Sequence, residues 1–387
     1  MTTLPRRIVV VGGSAAGATA AGALRRLGHA GPLTLVGAEP YAPYSRPALS
    51  KGVLTGADDI GLIGLAALAP DVEQRAGSAA VALDHDRREV LLDDRERIGY
   101  DGLVVATGAR AATLADIGSA DPGAIETVLR DLDDARALAA RLTTRPRVLV
   151  VGGGVLGTEV ASACVGAGCE VTVVGRDAPL LPQLGPHLAE LVVAAAVRRG
   201  VRFAHHEGGV RLRGSGPATT VDLADGRRFE ADLVITAIGC RPNVEWLEGS
   251  GLLPARHLGG LRVDDRCRVA PGVVAAGDVA AFPGRDGHRR TPLWTSAIEQ
   301  AGTAAAALLR ADTAPLVPRP YFWTEQFGLA LKACGALPVA GPPAVVDGDP
   351  DDGGALLRWP GTTAVSVNRR IPVAKLRALA LALALAS

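Results

Sequence analysis

The sequence predicts an α/β chain with two dinucleotide-binding modules and a small C-terminal α+β domain. Two observations carry that prediction. A strand-turn-helix-strand pattern over residues 8–39 recurs from Arg147 onward, and a matching strand-Gly-x-Arg element closes each copy. With 387 residues, the chain is long enough for separate domains with their own cores.

The first module opens on the apolar run IVVV at residues 8–11, which meets Gly12, Gly13 and Ser14 before an Ala/Leu-rich helix that runs to Leu27. A second apolar strand leads to Glu39. Gly12 permits the tight turn, Gly17 lets the helix pack close to the strand, and the helix N-terminus aims unpaired N–H groups at a pyrophosphate. Ser14 replaces the middle glycine of G-x-G-x-x-G and is small enough for close phosphate approach. Glu39 is placed to accept hydrogen bonds from a ribose. Such a turn also occurs for packing alone, but a strand before it, a helix after it and an acid at the end of the next strand favour a nucleotide.

An irregular segment follows Lys51, then short strands over 79–83 and 89–92. Residues 101–110, DGLVVATGAR, read as a buried strand ending in Ala106, Thr107 and Gly108 that returns beneath the first nucleotide. A connection with Leu129 and Arg130 leads into the helix-like DLDDARALAARL.

The second copy, RVLVVGGGVLGTEVASACVGAG, holds an intact Gly152-x-Gly154-x-x-Gly157, and its next strand covers 171–174. Gly12 and Gly152 stand 140 positions apart. Residues 232–241, DLVITAIGCR, repeat Asp, Ala, Gly and Arg of DGLVVATGAR at identical spacing. A third apolar strand over 273–276 ends in Gly277 and Asp278, a carboxylate facing the crevice where α/β sheets bind ligands. The plainer reading of Asp278 is a helix cap. Trp294 precedes a helical run, and Pro315, Pro318 and Pro320 mark the last boundary. Beyond it, strand-like pieces over 329–333, 355–359 and 364–367 alternate with turns such as 347–350. The expected domains are 1–111 with 243–317, then 112–242, then 318–387.

A net charge of +1 argues against nucleic acid as a main partner. The five cysteines show no C-x-x-C, metal-ligand or secreted-framework spacing, so a reduced, cytoplasmic chain is expected, with no metal role for His205 or His206. No signal peptide is evident after Arg6 and Arg7. The Leu/Ala tail over 379–386 is shorter than the roughly 20 residues a bilayer span needs and reads as the end of a packed helix. Lysine occurs only at 51, 332 and 375, which makes Lys51 conspicuous.

The stretches GGSAAG, LVGAEPYAPYSRPALSKG, VVATGAR, LRDLDDA, VVGGGVLGTEVA, AIGCRPNVEWL, VAAGDVA, WTSAIEQ and YFWTEQFG together resemble the ferredoxin reductase family of FAD-dependent pyridine-nucleotide oxidoreductases, over essentially the whole chain. The resemblance implies two Rossmann-like domains, FAD in the first, a nicotinamide nucleotide in the second, and a C-terminal interface domain. It implies FAD contacts at Ser14, Ala15, Glu39, Arg46, Lys51, Ala80, Arg130, Asp278 and Trp294, with Gly12, Gly17, Thr107, Gly108, Gly277 and Trp323 in the same cofactor set. Gly152, Gly154, Leu156, Gly157, Glu159, Gly175, Arg176 and Gly239 would line the nicotinamide side.

Within that family chemistry, Lys51 is the cation that stabilises negative charge on a reduced isoalloxazine, and Glu159 holds its ammonium. The bland alternatives are a solvated lysine after a turn and an ordinary helix residue. Against the second stands the expectation of a carboxylate in the first turn of a helix otherwise built from small apolar residues. Flavin disulfide reductases of this architecture place a cysteine pair where this chain reads SRPALSKGVL, so electrons must leave for an external acceptor. The family's acceptor is a small ferredoxin-type iron-sulfur protein serving an oxygenase. A diaphorase or oxidase, and a redox-responsive binding protein of the apoptosis-inducing type, are the alternatives. At the coenzyme end, Gly175 removes an acid that would repel a 2′-phosphate and Arg176 could bind one, whereas Asp177 could hold a ribose; the reading leans to NADPH over NADH. No membrane association is expected, and the chain is read as a monomer or homodimer. Two small basic clusters, Arg285/His288/Arg289/Arg290 and Arg369/Arg370, read as solvated surface, with docking of an acidic ferredoxin as the functional alternative.

Overall fold

A computed structural model describes residues 5–214, 219–253, 259–350, 354–361 and 363–382. The chain divides into two compact units, one of Met1–Ser45, Ile60–Arg110 and Cys240–Pro318, the other of Arg46–Asp59, Ala111–Gly239 and Arg319–Ser387. Residues 46–59 and the C-terminal segment thus group with the second nucleotide module. The cause is local: Ser50, Lys51 and Thr324 all bond to Glu159, and Phe327 N–H donates to Ser162 on the same helix.

The first unit is built on a six-stranded sheet in the order Arg268–Ala270, Val273–Ala275, Gly102–Val105, Ile8–Val11, Leu33–Gly37, Val72–Ala76, parallel except for the first strand. Alternation along a strand sends successive side chains to opposite faces. Ile8 and Val10 therefore enter the core with Ala20, Leu24, Ala301 and Ala304 of the helices Ala15–Arg26 and Trp294–Leu309, while Val9 and Val11 join Val90, Leu92 and Val279 on the other face. Both helices are rich in alanine on their buried faces, which lets them approach each other and the sheet closely.

The second unit repeats the plan with a four-stranded parallel sheet, Arg202–His205, Val171–Gly175, Val148–Val151, Leu233–Thr236, and the helix Val155–Gly166. The internal repeat holds at atomic detail. Asp101 accepts the backbone N–H of Arg7 at 2.8 Å, and Asp232 accepts that of Arg147 at 2.9 Å. Gly12 has φ +125° and a Cβ there would lie 2.1 Å from the Ala106 carbonyl; Gly152 has φ +123° and its Cβ would lie 2.2 Å from that of Ala237.

Three features depart from the sequence reading. An antiparallel sheet of Val210–Arg213, Thr219–Leu223 and Arg228–Ala231 was not expected. Tyr321–Gln326 is a strand whose alternation is obscured because the inward residues Thr324 and Gln326 are polar. The expected turn at 347–350 lies largely within the exposed edge strand Ala344–Asp349, where a bulge between Val345 and Asp347 and Gly348 at φ +79° absorb the turn-forming residues. That strand ends a five-stranded antiparallel sheet ordered Tyr321–Gln326, Leu329–Cys334, Thr363–Val367, Gly354–Trp359, Ala344–Asp349. Helix Val373–Leu381 packs Leu376 and Ala380 against Cys334 and Ala364; residues 383–386 of the expected tail helix lie outside the described residues.

Glycines of one helix separate into tight and open positions. A Cβ at Gly157 would lie 2.0 Å from the Gly152 carbonyl, whereas one at Gly166 meets nothing within 4 Å. Gly157→Ala is expected to cost about 2 kcal/mol or more through forced strand-helix separation, while Gly166→Ala stays within about 1 kcal/mol of the parent or gains stability; thermal denaturation of the two variants checks this. Acid adds a second handle. The Arg147 guanidinium beside Asp232 holds its carboxyl down to about 2. A depressed folded-state value means that this contribution is complete above the ordinary carboxylate range near pH 4 and is lost as pH falls towards 2. Asp232→Asn should therefore flatten the acid limb of the stability curve in that window, as read by urea unfolding at stepped pH.

Candidate functional site

Strand C-termini and helix N-termini place the nucleotide-type residues. In the first unit the turn after Ile8–Val11 carries Gly12, Gly13 and Ser14 into the helix that begins at Ala15. Gly17 is a packing residue: its Cβ would lie 1.8 Å from the Gly12 carbonyl. Ser14 has φ −119°, ψ −161°, and Gly154, at the equivalent position of the second unit, has φ −79°, ψ −177°. Both are extended, so this position does not require glycine's conformational freedom.

Neither nucleotide-type helix is capped by a side chain, and neither has an acidic residue in its first turn. Helix Leu132–Leu142 is the internal contrast: Asp131 and Asp134 close a reciprocal capping box on it. First-turn N–H groups left without side-chain caps, beside positions that demand small residues, fit a pyrophosphate. A Cβ at Gly239, φ +118°, would meet nothing within 4 Å, and at Gly154 only Gln183 Nε2 at 3.7 Å. These two glycines border open space, whereas Gly12, Gly17, Gly152 and Gly157 are consumed by packing.

Around the first turn, Glu39 accepts a hydrogen bond from the Tyr44 hydroxyl. Asn243 clasps the end of strand Gly102–Val105: its Nδ2 donates to the Thr107 carbonyl at 2.9 Å, Thr107 Oγ1 donates to the Asn243 carbonyl at 2.7 Å, and its N–H reaches the Gly108 carbonyl at 3.0 Å. Gly277 N–H donates to buried Gln300 Oε1 at 2.7 Å, and the Asp278 carbonyl accepts from Arg290 Nη1 at 3.0 Å. Arg290 also donates to the Cys240 carbonyl at 3.0 Å, so this member of the expected basic loop is a structural clamp, and Arg289 faces Asp286. Arg369 likewise pairs with Asp347 at 2.6 Å. Ala80 begins the strand Ala80–Asp84, and Trp294 begins its helix, both partly buried.

The second unit holds a charge pair between buried Glu159 and partly buried Lys51. Lys51 Nζ donates to Glu159 Oε2 at 2.8 Å and to the Pro47 carbonyl at 3.1 Å. Ser50 Oγ donates to the same Oε2 at 2.5 Å, and Thr324 Oγ1 donates to Oε1 at 2.6 Å. Glu159 is 5% exposed. It is the fifth residue of its helix, in the second turn; the first-turn expectation is corrected because Gly154 serves as the cap and the helix starts at Val155. Lys51 lies inside the turn Leu49–Val53 with non-helical φ −117°, ψ −108°, which directs its side chain back to Pro47 and Glu159. One turn earlier Arg46 Nη1 donates to the Arg130 carbonyl at 2.6 Å, so the 46–54 segment is tied at both ends.

Ser50, Thr324 and Gln326 were missed by sequence reasoning. For Thr324 and Gln326 the signal was a polar alternation in YFWTEQ; Ser50 carried none beyond its place in the SRPALSKG stretch, since hydroxyl and amide side chains otherwise read as surface. Trp323 stacks on Tyr321 with centroids 5.8 Å apart. Leu156 is exposed, and the Arg176 side chain is 81% exposed with its Nε 3.5 Å from Asp177 Oδ2. Gly175 ends its strand, buried.

Residues 6–301 match the family described as pyridine nucleotide-disulphide oxidoreductase. The chain is 36% identical over 364 residues to the chlorobenzene dioxygenase ferredoxin reductase component of Cupriavidus sp. (strain PS12), covering 90% of this chain and 85% of that protein. It is 37% identical over 356 residues to the anthranilate 1,2-dioxygenase system ferredoxin–NAD(+) reductase component of Burkholderia cepacia, covering 89% and 85%. The crystal structure of the covalent putidaredoxin reductase–putidaredoxin complex superposes with a TM-score of 0.81 at 27% identity, over 98% of this chain and 93% of that one. No helix among the described residues is long and apolar enough to cross a membrane.

The pair makes a stability prediction. Glu159→Leu leaves the Lys51 ammonium and two hydroxyls without their acceptor and is expected to cost about 3 kcal/mol or more, whereas Lys51→Met with Glu159→Leu recovers a large part of that loss. Urea unfolding of the two single variants and the double variant measures the coupling.

Proposed function

We propose that this chain, which belongs to the pyridine nucleotide-disulphide oxidoreductase family, carries electrons from a reduced nicotinamide nucleotide through FAD to a small ferredoxin-type iron-sulfur protein that serves an oxygenase. The observation that carries the reading is the ion pair of buried Glu159 with Lys51, the last residue of a segment, 39–51, that contains no cysteine. A dithiol there would accept electrons internally; without one the acceptor is external. Relatives named as ferredoxin reductase components of dioxygenase systems support the same acceptor class.

FAD, when bound, supplies the exchange between two-electron nicotinamide chemistry and one-electron iron-sulfur chemistry. We assign Gly12, Ser14, Ala15, Glu39, Ala80, Thr107, Gly108, Gly277, Asp278 and Trp294 of the first unit to FAD binding; within the second unit, Arg46, Lys51, Arg130 and Trp323 are assigned as cofactor contacts. The uncapped helix N-terminus at Ala15 receives phosphate charge and Glu39 receives a ribose hydroxyl. Lys51 would supply positive charge to a flavin on reduction, and Glu159 holds that ammonium in place. Gly154, Leu156, Gly175 and Gly239 are assigned to the nicotinamide nucleotide.

The lean to NADPH is reversed. Asp177 stands beside Arg176 and offsets the charge a 2′-phosphate would need, and the Burkholderia relative is named for NAD(+). We therefore assign NADH, and five free cysteines favour a cytoplasmic setting. Purified protein is expected to be yellow, to bleach with NADH, to reduce a two-iron ferredoxin, and to show kcat/KM for NADH about tenfold or more above that for NADPH. A colourless protein that binds no FAD overturns the reading, and a preference for NADPH overturns the coenzyme assignment.

A further inference from the structure

We infer that Thr324, aligned by Gln326, is a positioning residue for the Lys51–Glu159 pair and makes the C-terminal β-hairpin part of the machinery for coenzyme oxidation. The inference rests on the reductase reading above for its kinetic arm only.

Thr324 Oγ1 lies 2.6 Å from Glu159 Oε1 and 3.1 Å from Gln326 Nε2. A hydroxyl has one proton to give. If the Gln326 carbonyl oxygen faced Thr324, the threonine would meet two acceptors with one proton, so only the amino end satisfies both contacts. With Gln326 donating in, Thr324 must donate out, to Glu159. The opposite oxygen, Oε2, takes Ser50 and Lys51. Ser50, Lys51 and Thr324 all donate to Glu159, which suits an ionised carboxylate and locks its plane.

All four groups are buried: Thr324 is 0%, Gln326 3%, Glu159 5% and Ser50 5% exposed. Gln326 Oε1 is buried with no hydrogen-bond partner among the described residues. An amide that leaves its acceptor unpaired is costly, and its amino end is the part in use. The hairpin is also held where the relay needs it. Gln326 pairs with Leu329 across the two-residue turn Phe327–Gly328, with φ +51° and +78°. Both values are positive, as a type I′ turn requires, and phenylalanine is a strained occupant of its first position. Its N–H is held at 2.7 Å by Ser162 Oγ, three residues along the helix from Glu159, and its ring is buried.

Removing the Thr324 hydroxyl frees Glu159 to turn and loosens its hold on Lys51. Lysine occurs at three positions only, so 15Nζ-lysine labelling gives the Lys51 ammonium a resolvable signal. In the protein as purified, Thr324→Val is expected to accelerate exchange of the Lys51 ammonium protons about tenfold, the scale of one hydrogen bond to a charged group. It should slow the NADH half-reaction by a similar factor in stopped flow, with KM for NADH within about twofold, and Thr324→Ser should restore both. Wild-type exchange and wild-type reduction rate in Thr324→Val would overturn the inference. If NADH fails to bleach the parent protein, the reductase reading falls while ammonium exchange still decides the positioning role. Should Thr324→Val not fold, Gln326→Met removes the aligning donor alone and is expected to accelerate exchange about threefold; exchange at the parent rate in that variant overturns the inference equally.

Discussion

A carboxylate withdrawn from water has to be repaid in hydrogen bonds, and the second unit is arranged around that requirement at Glu159. Burying an ionised group unpaired costs several kcal/mol, so its two oxygens collect donors from wherever the chain can bring them. They come from Ser50 and Lys51 in one segment and from Thr324 in a strand 165 positions beyond Glu159. The constraint therefore joins three stretches that no local preference would bring together. It also accounts for the grouping of residues 46–59 and the C-terminal sheet with the module that contains Glu159.

The second organising element is closeness. Gly12, Gly17, Gly152 and Gly157 allow helix and strand backbones to approach where a Cβ would collide with carbonyl oxygens. This brings two helix N-termini to the carboxyl ends of their sheets without side-chain caps, while the capped helix Leu132–Leu142 shows what the same chain does when a helix end has only itself to satisfy. In the proposed function, the Lys51 ammonium and the uncapped helix ends are complementary sources of fixed positive potential.

Much of the scaffold was legible because it is local. Strand-turn-helix periodicity, the positive-φ glycines and the paired Asp101 and Asp232 elements recur at fixed spacing, so they can be read without any tertiary knowledge. Edge and meander strands were harder: Ala344–Asp349 contains turn-forming residues absorbed in a bulge, and Tyr321–Gln326 turns polar groups inward, inverting the usual pattern. Arg290 read as a solvated surface cation, with docking as the alternative, because a sequence shows charge and not direction; in the fold it is bonded to two carbonyls.

The sequence by itself determined two nucleotide modules, the prominence of Lys51 and Glu159, and the lack of a dithiol, because these depend on residue identity and short spacing. Only the tertiary structure decided how Glu159 is held. The hydroxyls of Ser50 and Thr324 and the amide of Gln326 are common surface chemistry until burial removes water and leaves Glu159 and one another as their partners. Their bond directions, and so the orientation of the carboxylate that grips Lys51, exist only once strand, helix and turn have closed around them.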